Sequence, residues 1–329
     1  MRIGILGATG MLGHHAALAA QAGGHDVVVL HRANSRLDYL RGLHYQGRIA
    51  DLDDAKSLQQ ALRGLDGVIN AAAYYPTTPR PWREEVSRAT TQMEAFYRAC
   101  GEAQVGRIVY VGGSIALPRR ADGGPGDEQL DYPGPPEDRN PYLQVKWSLD
   151  RQARDVAAQG LPVSIGIPSM SFGEHDHGPS TGRFIVEIAN RTMAAFVPGQ
   201  RNAVYAGDAG RGLLQVLERG KSGERYLLTG GNVSMTDLVQ LIADLAGVPP
   251  PRSVPLKVAR AAAQLQELRY HLLGGDPPKL SATVIAVMAL GQFLDGRKAT
   301  REIGYRPQLS VPEAIQRAIA WFRQEGMIR

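Results

Sequence analysis

Ile3-Gly4-Ile5-Leu6-Gly7-Ala8-Thr9-Gly10-Met11-Leu12-Gly13 lies near the start of the chain. A short apolar run that meets glycines three residues apart and then a helical stretch reads as strand, tight turn and helix. Gly7 lets the chain turn off the strand, Gly10 leaves bare backbone for a pyrophosphate, and Gly13 lets the helix pack close to a sheet. The helix expected from about Met11 to Gln21 aims unpaired N–H groups and the positive end of its dipole at that phosphate. A glycine triplet alone says little in a chain with 38 glycines. Its position between a strand and a helix is what points to a dinucleotide.

Outward from this turn, apolar runs alternate with helical patterns. Strands are expected at Arg2–Leu6, Asp26–His31, His44–Ala50, Gly67–Ala73, Arg107–Gly112 and Pro162–Ile167. Helices are expected at Ser57–Arg63, Arg83–Gln104 and Pro141–Gln159. Strands this rich in Val, Ile and Leu suit a parallel sheet covered on both faces. The expected fold class is therefore α/β, a doubly wound parallel sheet of Rossmann type with a smaller, mostly helical substrate lobe. Residues 1–168, with 202–230, are assigned to the nucleotide domain; residues 169–201 and 231–329 form the interleaved lobe.

Two stretches break the alternation. Residues 121–140 are rich in Pro, Gly and acids, and a loop of that length inside a compact domain reads as functional or mobile. Beyond Pro168 the pattern turns irregular: a helix near Gly182–Met193, a strand near Asn202–Ala206, helices at Ala209–Arg219 and Thr236–Ala246, and a connector at Pro249–Pro251. Ala- and Leu-rich helices follow, among them Ala282–Leu290, read as lobe core. An amphipathic helix at Val311–Gln324 closes the series.

Composition sets limits on partners. The 329 residues carry 37 basic and 32 acidic side chains, a net charge of +5, scattered rather than blocked. No basic stripe with interleaved aromatics invites nucleic acid. No run reaches the ~20 apolar residues of a membrane helix, so a membrane partner is not expected either. No basic segment followed by an apolar one suggests a signal peptide. The single cysteine, Cys100, reads as a buried core thiol, and a cytoplasmic location is expected.

The second strand ends Val28-Val29-Leu30-His31-Arg32. An acid near this point would hold a ribose 2′-hydroxyl in NAD-binding versions of the fold, and none stands here. Arg32, beside His31 and helped by Arg36, suits a 2′-phosphate instead, which favours NADP(H) over NAD(H). A solvated strand-end arginine is the other role open to it. Asp51, followed by Leu52, has two roles open: accepting from an adenine amino group, or capping a turn.

Tyr142 and Lys146 stand four residues apart, on one helical face. Asn140 is the expected N-cap and Pro141 the first helical residue, which puts Tyr142 in the first turn. There the ammonium and the helix dipole both favour phenolate. Ser114, after Ile108–Val111 and Gly112-Gly113, falls at the carboxyl end of a strand. It is either a hydroxyl donor to a substrate oxygen or an ordinary turn serine.

Together these residues resemble the extended short-chain dehydrogenase/reductase superfamily over nearly the whole chain. Gly7–Gly13 is similar to its TGxxGxxG turn, Asn70-Ala71-Ala72-Ala73 to the segment after its fourth strand, and Ser114, Tyr142 and Lys146 to its catalytic triad. Ile167-Pro168-Ser169 resembles the segment against nicotinamide, and Tyr205-Ala206-Gly207-Asp208 a V-D-D stretch reduced to its last acid. Tyr226–Gly231 with Ser234 and Leu238, and Gly304-Tyr305-Arg306-Pro307, resemble the branch of NAD-dependent epimerase/dehydratases and dihydroflavonol-reductase-like proteins. Asp176–Arg183 leading into Phe184-Ile185-Val186 is similar to the hopanoid-associated sugar epimerase group.

The resemblance implies a Rossmann site in which Gly7, Thr9, Gly10, Met11, Leu12, Gly13, His31, Arg32, Asp51, Leu52, Ala71, Ala72, Ala73, Lys146, Pro168 and Ser169 contact the dinucleotide. It implies that Tyr142 exchanges a proton with a substrate hydroxyl or carbonyl, that Lys146 holds the nicotinamide ribose, and that Ser114 positions the oxygen. A reductase uses these parts once and a 4-epimerase twice. A nucleotide sugar or a small carbonyl compound is the expected substrate class. Arg183, with Arg201 or Arg211, either clamps a diphosphate or lies on the surface.

Departures from the pattern matter too. Gly112-Gly113-Ser114-Ile115-Ala116 lacks the Thr-Glu or Thr-Asp pair of dehydratases, which disfavours elimination. Ala89 stands where the family keeps an asparagine. Glu174-His175-Asp176-His177 has too few ligands for a metal and is read as a loop over the nicotinamide, lining the substrate pocket. His14 and His15 are read as packing or surface residues. The competing function is a non-catalytic NADP(H) sensor acting through a protein partner. A homodimer through Arg83–Gln104 and Pro141–Gln159 of each subunit is implied by the same resemblance.

Overall fold

The computed structural model describes all residues except 73, 75, 77–79 and 274–287, with backbone only at 267, 268 and 271–273. Seven parallel strands build the main sheet. In spatial order they are Arg225–Leu228 (β10), Val163–Pro168 (β6), Arg107–Val111 (β5), Gly67–Asn70 (β4), Arg2–Leu6 (β1), Asp26–His31 (β2) and Gln46–Ile49 (β3). Strand order reverses between β1 and β4, and that switch point opens a crevice at the carboxyl ends.

Side chains alternate across the sheet. Ile3 and Ile5 of β1 and Val27 and Val29 of β2 meet Ala16, Ala17 and Ala20 of Met11–Ala22 (α1) and Leu213 and Val216 of Ala206–Arg219 (α6). Leu6, Val28, Leu30 and Val68 face the other way. They pack with Leu58 of Ala55–Leu62 (α2), Met93 and Phe96 of Trp82–Glu102 (α3), and Val145 and Leu149 of Pro141–Ala158 (α4). The period of two along each strand thus feeds two helical layers. Cys100 lies in the second of these cores, fully buried.

The lobe has its own core. Met170–Phe172 (β7), Gln200–Tyr205 (β9) and Gly231–Ser234 (β11) form a second sheet in the order β11-β9-β7. Phe172 packs there with Ile185 of Arg183–Ala189 (α5), Leu238 and Ile242 of Met235–Ala246 (α7), and Ile315, Ile319 and Phe322 of Val311–Gln324 (α10). Ala195–Phe196 (β8) pairs with Arg252–Ser253 (β12) beside Leu256–Leu273 (α8), and Arg297–Ile303 (α9) returns to the main sheet.

Several boundaries differ from expectation. Of residues 202–230, α6 and β10 join the main sheet, whereas Asn202–Tyr205 belong to β9 of the small one. The helix expected at Gly182–Met193 ends at Ala189, because Arg191 adopts φ 58° and Thr192 and Met193 both donate to Glu187 O. Loop 121–140 is pinned rather than mobile. Its Glu128 carboxylate accepts from Leu227 N–H of edge strand β10 at 2.8 Å, and Arg225 joins Asp150 of α4 to Asp131 and the Leu130 carbonyl. Residues 282–287 of the expected helix Ala282–Leu290, like Ala73, lie outside the described residues.

Candidate active site

The first loop fits a phosphate for steric reasons. Gly7 has φ 79°, and a Cβ there would come within 2.8 Å of Ala71 and Ala72 backbone atoms. A Cβ on Gly13 would lie 2.2 Å from the Gly7 carbonyl. Gly10 is exposed, with only Gly7 O at 3.4 Å from its added Cβ, so its outer face is bare backbone. No side chain caps α1 and no acid stands in its first turn, so its N–H groups remain for an anion. Met11 is buried, while Thr9 and Leu12 are half-buried at the rim. The residues present therefore fit a dinucleotide pyrophosphate.

At the end of β2, the His31 ring contacts the Arg32 carbonyl at 2.9 Å and the Arg32 N–H donates to Ser35 Oγ. Arg32 is exposed, and its guanidinium pairs with no carboxylate among the described residues. Arg36 is less free than its expected helper role requires, since it forms a two-pronged ion pair with Asp38 at 3.0 and 2.8 Å. Asp51 accepts from Asp53 N–H and so takes part in the turn before α2, with Leu52 half-buried beside it. Ala71 and Ala72 stand against Gly7, and Ser169 follows Pro168 with its Oγ buried and lacking a partner among the described residues.

The second half of the site rests on the start of α4. Asn140 Oδ1 accepts from the N–H groups of Tyr142 and Leu143 at 3.0 and 3.2 Å, with Pro141 in the first turn. That cap fixes where Tyr142 and Lys146 leave the helix. Lys146 Nζ lies 5.8 Å from the Tyr142 ring centroid. Ser114 begins a 3-10 turn, Ser114–Ala116, at the carboxyl end of β5, and a Cβ on adjacent Gly113 would sit 3.6 Å from the Lys146 stem. Lys146 is 6% exposed, and burial pushes its ammonium down to about 8. A cation, a phenol and a hydroxyl thus gather beside the cofactor crevice.

Other placements were not legible in the sequence. Ala89 is buried and offers no polar group, but Glu85, one turn earlier on the same face of α3, is buried and accepts from the Tyr74 hydroxyl. Burial and this carboxylate hold the Tyr74 phenol above its ordinary value. The only hint was an acidic start to α3 close after a tyrosine. In the lobe, Arg183 is exposed at the start of α5. Arg201 donates to the carbonyls of Gln200 and Met288 at 2.7 and 2.8 Å, and burial with Arg119 nearby pushes it down to about 10. Arg119 itself donates to the carbonyls of Ala289 and Gly291. Arg211 is taken by buried Asp208.

The histidines of the Glu174–His177 loop stack on rings of other elements. His175 lies flat on His14 of α1 at 3.8 Å, and His177 lies flat on Tyr39 at 3.9 Å. Glu174 meets His15, Tyr205 and Arg317, and Asp176 accepts from Ser180 and Gly182 N–H groups. His14 and His15 are packing residues, both buried. Among the described residues no cluster suits a metal ion, and no helix is long and apolar enough to cross a membrane.

Comparison with known proteins agrees with this architecture. The NAD dependent epimerase/dehydratase family model matches residues 3–229. A Pseudomonas aeruginosa structure, described as a nucleoside-diphosphate-sugar epimerase, superposes with a TM-score of 0.88 at 46% identity, covering 100% of this chain and 99% of the other. Sterol demethylase protein B of Methylococcus capsulatus is 30% identical over 98% of this chain and 99% of its own length. A 4-hydroxy-2-methyl-3-oxo-4-farnesyl-3,4-dihydroquinoline-1-oxide ketoreductase of Stigmatella aurantiaca is 27% identical over 96% of this chain and 95% of its own. With its sheet order, its glycine turn and this span of similarity, the chain belongs to the NAD-dependent epimerase/dehydratase family of extended short-chain dehydrogenases/reductases.

Proposed function

We propose that this chain is an NADP(H)-dependent oxidoreductase acting at a hydroxyl/carbonyl carbon of a small-molecule substrate, with Tyr142 as its acid–base group. The reading is carried by Tyr142 and buried Lys146 on successive turns of α4, beside Ser114 at the end of β5. The backbone of Gly7–Gly13 and the start of α1 would hold the pyrophosphate, Arg32 the 2′-phosphate, and Lys146 the nicotinamide ribose. Ala71, Ala72, Pro168 and Ser169 would wall the ring. When bound, the nicotinamide supplies or accepts the hydride.

Tyr142 gives its phenolic proton to the carbonyl oxygen in reduction and takes it back in oxidation. Bringing a tyrosine from ~10 to near 7 takes about 4 kcal/mol of preference for phenolate. The Lys146 charge and the positive start of α4 both act in that direction. Ser114 donates to the same substrate oxygen and so holds the reacting carbon in line. Ordinary reduction requires no further protein group.

A second reading, 4-epimerisation of a nucleotide sugar, is favoured by the description of the 46% identical neighbour. Arg119 and Arg201, both without a carboxylate partner among the described residues, offer the charge for a diphosphate. Purified protein with NADPH and a panel of ketones and aldehydes, and separately with NADP⁺ and nucleotide sugars, distinguishes the two. Net cofactor oxidation supports reduction, and interconversion without net oxidation supports epimerisation. Tyr142→Phe is expected to lower either activity by ~10²- to 10⁴-fold. Undiminished turnover in that variant overturns the mechanism. Tight cofactor binding without turnover, together with a co-purifying protein, supports the sensor instead.

A further inference from the structure

Among the contacts that tie the cofactor side of the molecule to the lobe, two ring stacks pass through one loop. After β2, residues 32–39 run along the surface, and the chain re-enters the core at Leu40. Tyr39 of the 3-10 turn Leu37–Leu40 stacks on His177 at 3.9 Å with 7° between the rings. The Arg36 guanidinium lies 4.8 Å from the Tyr39 ring centroid. His177 meets Trp321 of α10 edge-on at 5.0 Å, and Trp321 in turn packs on Phe322 of the lobe core. From the same loop, His175 stacks on His14 of α1 and lies 6.1 Å from Trp321.

We propose that Tyr39 and His177 are positioning residues that couple the adenosine end of the cofactor to the substrate lobe. Residues 32–39 carry Arg32 and are anchored to the lobe chiefly by one ring pair, so ordering them on a nucleotide orders His177 and Trp321 too. The contact is a stack and not an ion pair. Burial lowers the His177 ring below its ordinary value, and Glu325, Asp38, Asp176 and Arg41 surround it with opposing charges. A stack of this size shifts a two-state equilibrium by ~2- to 10-fold. The coupling rests on the proposed binding of the cofactor's adenosine end beside Arg32.

Trp321 is a built-in reporter of that coupling. In the 329-residue chain carrying Trp82→Phe and Trp147→Phe it is the one tryptophan left. Saturation with 2′,5′-ADP or 5′-ADP, with binding measured by calorimetry, is expected to change its emission. Tyr39→Ala should bind the same nucleotide within ~10-fold yet lose the emission change, and Tyr39→Phe and His177→Phe should restore it. Calorimetric binding with no Trp321 response, or an undiminished response in Tyr39→Ala, overturns the proposal. If 5′-ADP binds as tightly as 2′,5′-ADP while Trp321 still responds, the NADP preference fails and the coupling stands. Failure of both nucleotides to bind overturns both.

Discussion

Arg32 shows what a single residue decides at this site. It stands exposed at the end of β2 with no carboxylate among the described residues to neutralise it, while Arg36 is committed to Asp38. A charge-assisted contact to phosphate is worth ~1.5–3 kcal/mol. Arg32→Ala should therefore shift the ratio of NADPH to NADH affinity toward NADH by about 10- to 100-fold, read by nucleotide fluorescence titration. An unchanged ratio would remove Arg32 from the 2′-phosphate. The spacing of Tyr142 and Lys146 was legible because helical geometry fixes which residues share a face. His14 was not, because its stacking partner His175 comes from a loop of the other lobe. Glu85 was opaque for the same reason: only the packed fold brings Tyr74 onto it.

At the scale of the element, the two helix starts capped by side chains at Asn140 and Ser310 make a natural contrast. Asn140 caps α4, which carries the candidate acid–base group, and Ser310 caps α10 through a reciprocal bond with Glu313. Losing such a cap costs about 1 kcal/mol of stability. Asn140→Ala and Ser310→Ala should lower the urea-unfolding free energy by similar amounts. Only Asn140→Ala should also lower kcat, because the first turn of α4 aims Tyr142. Equal activity in both variants would show that the cap does not position the tyrosine. The start of α4 could be read from Asn140-Pro141, and α10 from its amphipathic pattern. The end of α5 could not, since nothing local marks Arg191 for a positive φ.

For the molecule as a whole, the ring cluster between the lobes should set its acid tolerance. Burial, with the neighbouring histidines adding to it, pushes His14 down to about 3; burial and His175, partly offset by Glu174, push His15 down to about 4. The unfolded chain takes up these protons below about pH 6.5 while the folded one does not. Stability should therefore fall as the pH drops from 6.5 toward 4, by ~1.4 kcal/mol per pH unit for each ring. Asp176 and Glu128, raised by burial, act in the opposite sense as they take up protons in the folded state first. Urea unfolding across this range should show a shallower slope in His14→Phe by about one proton; an identical slope would rule the ring out. We also propose that α3 and α4 pair two subunits, which sedimentation should report as a dimer, and a monomer at micromolar concentration would exclude it. By itself the sequence determined the nucleotide fold and the Tyr142–Lys146 face, because glycine spacing and strand and helix periods are local rules. Tertiary structure alone decided that loop 121–140 is pinned to β10, that Arg36 is spent on Asp38, and that the Glu174–His177 loop joins the lobes. Those outcomes depend on which distant groups compete for each charge and each buried face, and no local pattern records that competition.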